Sequence, residues 1–134
     1  MNTRPNGALV TITLVIGAVA FLVPGVWAFV APVGFSDTIA TFDPYNRHYL
    51  HDLGAFQIGV GVAALVAVRW RDGALVALSG LFAATAVHAV SHFVDRDLGG
   101  RSADAPLLTV LALLALAALV TRARALRPKT TVAG

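Results

Sequence analysis

The chain has 134 residues, enough for one domain and not for two. Apolar residues make up 57%, charged residues only 13%, and mean hydropathy is +0.77, so a water-facing polar shell cannot be assembled from this composition. There is no cysteine and no glutamate, which excludes disulfides, thiolate metal sites and cysteine nucleophiles together.

In chain order, four long apolar segments stand out: about 8–30, 48–68, 74–94 and 104–121. A helix rising about 1.5 Å per residue needs roughly 20 residues to cross a hydrocarbon core of about 30 Å. In lipid the backbone must satisfy its own hydrogen bonds, so each segment is read as a helix. The expected fold is all-α: a polytopic four-helix membrane bundle with short loops, forming a single domain over residues 1–134.

The first segment follows Arg4 but exceeds the roughly 7–15 residues of a signal-peptide core, so it is read as an uncleaved span. Pro24-Gly25 is expected to kink it. Residues 31–42 read as a loop, with Pro32, Gly34 and Ser36 breaking any helix. Asp43-Pro44 fits a cap and first helical position for the second span. The charged turn "RWRDG" at 69–73 joins the second and third spans into an antiparallel hairpin, and "SADAP" at 102–106 opens the fourth. Residues 122–134 form a basic, frayed tail, read as a topology signal and an anchor to anionic lipid. Trp27, Phe29 and Phe35 at one level and Trp70 at the other fit interfacial aromatic belts.

Lysine and arginine sort by side. With four spans, Arg4, Arg69, Arg71, Arg122, Arg124, Arg127 and Lys129 share one side with Asp72 alone. Arg47, Arg96 and Arg101 share the other with the remaining six aspartates. Seven cations against three places both termini in the cytoplasm of a cell with a bacterial-type inner membrane. This sorting accounts for the net charge of +3 without nucleic acid as a partner.

The chemistry-bearing residues concentrate at the opposite side. "NRHYLHD" at 46–52 and "HAVSHFVDRD" at 88–97 hold all four histidines. At about 100° per residue, His48, His51, Asp52, Ala55 and Gly59 share one arc of the second span. Gly80, Ala84, His88 and His92 form a row on the third, with Ser91 and Asp95 beside it. Small residues allow close helix contact in membranes, so the two arcs are expected to face each other and bring His51, Asp52, His88 and His92 together.

Three chemistries suit such a cluster. His48, His51, Asp52, His88, His92 and Asp95 offer nitrogen and oxygen ligands for zinc, iron or copper. His51 and His88, on facing helices, are the pair for haem b. Intramembrane histidine and aspartate also serve proton relays and transport paths. Beside these stands a plain reading, in which polar helix ends simply meet the headgroup region; it suits His48 and Asp95 better than His88, two turns further in. Gln57, opposite the histidine arc, is expected to bond another helix.

The stretch "HYLHDLGAFQIGVGVAALVA" resembles the opening of the second helix in small DoxX-like bacterial membrane proteins, with an acidic residue and glycines before an apolar run. That resemblance implies a four-helix membrane fold and an accessory role beside a quinone-linked oxidoreductase; thiol chemistry does not transfer, for want of cysteine. The functional expectation is a metal- or haem-binding membrane enzyme or redox-complex subunit. A small oligomeric transporter or proton-coupled permease, and a structural or assembly subunit of a larger membrane complex, are the alternatives.

Overall fold

A computed structural model describes residues 6–98 and 100–127. The described residues are helical and contain no strand. The order is α1 (Ala8–Val30), α2 (Pro32–Thr38), α3 (Arg47–Arg69), a single 3₁₀ turn (Arg71–Gly73), α4 (Ala74–Val94) and α5 (Asp104–Leu126). Four of these, α1, α3, α4 and α5, are long and apolar enough to cross a membrane. Their outer surface is hydrocarbon: Phe56, Val76 and Val94 are 77%, 75% and 75% exposed. Water would penalise such a surface and lipid does not, so the chain is built as a multi-pass membrane protein.

Several boundaries differ from those the sequence suggests. Asn46, not Asp43, caps α3, because its side-chain oxygen accepts the Tyr49 N–H at 3.1 Å. Residues 31–42 are not all loop. Pro32 occupies the start of α2, where a missing N–H costs nothing, so the residue expected to break a helix begins one. At the other end α5 continues to Leu126, which puts Arg122 and Arg124 on ordered helix rather than in a frayed tail; residues 128–134 lie outside the described residues, as do Arg4 and Lys129. Pro24 sits inside α1 without ending it.

The helices pair 1 with 3 and 4 with 5. The α1–α3 crossing is set by two glycines. A Cβ on Gly54 would lie 2.7 Å from the Gly25 carbonyl oxygen, and one on Gly25 would lie 3.1 Å from the Gly54 oxygen. Neither position tolerates a side chain, and the resulting backbone approach supplies the dispersion contact that holds helices together where lipid removes any hydrophobic drive. Below it, Val10, Leu14, Ala18 and Phe21 of α1 meet Ala64 and Ala67 of α3, Leu78 and Leu81 of α4, and Ala115 and Ala118 of α5 in one core. A smaller core of Ala28, Phe35 and Leu50 closes the far end.

Consecutive helices α3 and α4 touch far less, despite the tight turn between them. The expected seam of Ala55 and Gly59 against Gly80 and Ala84 does not form: Gly59 and Gly80 have no neighbour within 4 Å of a would-be Cβ. The small residues of α3 that pack are Gly54, Gly61, Ala64 and Ala67, not Ala55 and Gly59 of the histidine arc.

The two ends of the bundle are distinct. Asn6 donates to the Ala67 carbonyl at 3.4 Å and Arg122 donates to the Arg71 carbonyl at 3.1 Å, so the first described residues, the 69–73 turn and the end of α5 share one end. Arg122 is 2% exposed there. Trp27 packs edge-on to Phe35 at 5.7 Å at the other end, and Phe35 is buried in the small core rather than placed in an interfacial belt. Trp70, by contrast, is exposed at the basic end as expected.

Candidate functional site

All four histidines stand at the end away from the basic turn, but in separate places. His48 and Asp52 are one helical turn apart on the exposed side of α3, with Nε2 to carboxylate at 3.5 Å and side chains 87% and 58% exposed. His51 is half-buried and lies against the Phe29 ring of α1, centroids 5.0 Å apart. Packing on a hydrocarbon ring gives the imidazole no polar partner and fits a structural contact between α1 and α3.

His88 and His92 form a closer arrangement. They sit one turn apart on α4, both half-buried, with Nε2 atoms 3.1 Å apart and ring centroids 4.8 Å apart. Each nitrogen can donate or accept, so the pair can share one proton but cannot bond if both are protonated there. The backbone beneath is held by Ser91, whose hydroxyl donates to the His88 carbonyl at 2.8 Å.

The connection from α4 to α5 adds the groups next to this pair. Gly100 takes φ +88°, a left-handed conformation that side chains avoid. A Cβ there would stand 3.4 Å from His92 Nδ1 and Asp104 Oδ2, an ordinary contact, so it is the left-handed φ that favours glycine where the loop passes beside them. Asp104 is half-buried. Both its oxygens are engaged: Oδ2 accepts the Arg101 backbone N–H at 2.8 Å and Oδ1 accepts Arg101 Nε at 3.3 Å. Asp104, which the sequence placed only in the stretch that opens the last span, thus holds the loop beside the histidines.

The sequence expectation of a single cluster is therefore corrected. Among the described residues, no three or more of the histidine and aspartate side chains gather closely enough to hold a metal ion. His51 and Asp52 do not join His88 and His92, because α3 turns its glycine face to α1 while α4 packs on α5. Asp95 ends α4 as an exposed residue, and Gln57 packs beside Gly25 with its side-chain oxygen unbonded rather than bridging helices. What the sequence missed is Asp104, Arg101 and Gly100. Their one signal was the shortness of the loop after Val94, which obliges the start of α5 to return beside the end of α4.

Comparison of the chain with family models, with curated proteins and with solved structures finds no match in any of the three.

Proposed function

We propose that this membrane protein binds a divalent transition-metal ion through His88 and His92 as a two-nitrogen chelate, leaving the other coordination positions open. The observation that carries this reading is the 3.1 Å separation of the two Nε2 atoms. With metal–nitrogen bonds of about 2.0–2.1 Å, two ligands stand about 2.9 Å apart at a right angle and about 3.3 Å apart at the tetrahedral angle. The 3.1 Å separation lies between these two values, which supports a shared ion on the pair. The remaining positions fall to water, to a ligand carried in, or to a partner subunit. That suits a subunit that passes or presents an ion, in keeping with an accessory role in a membrane complex, better than a closed structural site. Haem finds less support, since His51 is occupied with Phe29.

A second reading is favoured by the engagement of Asp104 with Arg101, which withholds the nearest carboxylate as a ligand. The histidine pair then serves as a proton-sharing step in a proton-coupled permease. The two are separated by titrating the detergent-purified protein with Cu(II) and Zn(II). One ion per chain, lost in His92→Ala, supports the chelate. No binding, together with proton-linked flux in vesicles that His88→Ala abolishes, supports the relay. For orientation, we infer from the cation bias that the basic end is cytoplasmic and the histidine end faces outward.

A further inference from the structure

The loose packing of α3 on α4 leaves an open apolar groove of about 520 Å³ between them. Val60, Ala63 and Ala67 form one wall, and Gly73, Ala77 and Gly80 the other. Glycine and alanine at five of its lining positions are too short to meet across the gap, with Val60, Val66, Val76 and Leu81 at the other four. From Gly73 to Leu81, another lining residue, is eight rises of about 1.5 Å, or about 12 Å along α4. One leaflet of a hydrocarbon core about 30 Å thick measures about 15 Å. The groove thus runs for most of the depth of one leaflet, whereas a helix from a second copy would need a track along the whole span.

Its mouth is charged. The groove ends against the 69–73 turn, where Arg69, Trp70 and Arg71 are all exposed. Among the described residues neither guanidinium pairs with a carboxylate. The Arg69 guanidinium lies 5.8 Å from the centre of the Trp70 ring, a pairing of cation and amphipathic ring that suits headgroup level. An uncharged slot most of a leaflet deep, opening beside two cations that have no carboxylate partner among the described residues, matches the two halves of one molecule.

We propose that the groove holds an acyl chain of an anionic phospholipid, with the phosphate between Arg69 and Arg71. The acyl chain replaces the side-chain contacts that α3 and α4 do not make with each other. The headgroup charge neutralises a turn that carries two arginines against Asp72. The site is separate from the histidine pair at the opposite end and does not rest on any function assigned to it.

Trp70 is a reporter placed at the mouth. In Trp27→Phe protein it is the only tryptophan. This protein is reconstituted in phosphatidylcholine vesicles containing either brominated phosphatidylglycerol or brominated phosphatidylcholine as the minor lipid. Quenching of Trp70 is expected to reveal a preference for phosphatidylglycerol of at least about fivefold, the contribution of a single surface cation. Arg69→Gln with Arg71→Gln should bring the preference to parity. Gly80→Leu and, from the other wall, Ala63→Leu fill the groove without changing charge and should also cut the preference severalfold. Gly80 tolerates the change because a Cβ there meets nothing within 4 Å, and circular dichroism confirms that each variant stays helical. Full preference retained in both groove-filling variants would mean that charge alone recruits the lipid, and would overturn the proposal. So would a preference unaffected by removing both arginines.

Discussion

In the last two turns of α4, Nε2 of His88 lies 3.1 Å from Nε2 of His92, close enough for the two imidazoles to share one proton. Binding through the first nitrogen makes binding through the second intramolecular, which raises affinity by about a hundredfold over one imidazole. His88→Ala and His92→Ala are each expected to weaken Cu(II) binding by about that factor in calorimetric titration. His48→Ala should change it by less than about threefold. Equal losses at His48 and His92 would point to a different ligand set.

Protons compete with a metal ion for the same nitrogen, so the sign of the pH dependence is fixed. Bound ion should be complete at alkaline pH and released on acidification. The release should be monotonic when followed by the Cu(II) absorbance band. A site held by carboxylates alone would keep its ion to lower pH.

Gly54 and Gly59 lie on the same helix and have opposite surroundings. Gly54→Ala forces a Cβ to within 2.7 Å of the Gly25 carbonyl, a backbone atom that cannot swing away, and should destabilise the protein by about 1–3 kcal/mol. Gly59→Ala meets nothing and should stabilise it by about 0.4–1 kcal/mol by restricting the unfolded chain. Thermal unfolding in one detergent compares the two. A fall in Tm for both would argue against the α1–α3 crossing described above.

Arg122 is buried against the 69–73 turn, with Nη2 on the Arg71 carbonyl, while Arg124 two residues on is exposed. Arg122→Ala removes a charge-assisted hydrogen bond and should cost about 1.5–3 kcal/mol. Arg124→Ala should stay within about 0.5 kcal/mol of the parent protein. The same unfolding assay distinguishes a helix-to-turn clamp from a cation that serves only topology.

A reporter enzyme fused after Gly134 is expected to be active only as a cytoplasmic fusion, and one inserted at 97–101 only as an external one. The reverse pattern would place the histidine pair on the cytoplasmic side and detach the orientation from the arginine bias.

The spans were legible in the sequence because their cause is one-dimensional: an apolar run either matches the bilayer or does not. The histidine arc was also legible, and His88 and His92 do meet on α4. What the wheel does not encode is which face finds a partner. Helix α3 carries two sets of small residues, Ala55 and Gly59 on one face and Gly54 and Gly61 on another, and composition alone gives no preference between them. The choice is made by Gly25 on α1, a residue about thirty positions away whose backbone must come close. Asp104 escaped for a related reason. Its role depends on Gly100 bending the chain with φ +88°, a conformation the sequence permits at any glycine and announces at none.

The pairing of α1 with α3 and of α4 with α5 also bears on how the chain is made. As the ribosome extends it, α1 enters the bilayer first, and Gly25 meets its α3 neighbours only after the intervening α2 segment, while Gly17 meets Leu81 of α4 later still. Gly25 and Gly54 meet without the later helices, whereas Gly17 and the core residues of α1 are covered only when Leu81 of α4 and Ala115 and Ala118 of α5 are in place. Helices α4 and α5 arrive as a second unit, and Arg122, near the end of that unit, reaches back to the turn that separates the two. The α1–α3 crossing therefore needs only the first half of the chain, while the shared core and the Arg122 contact need α5 as well.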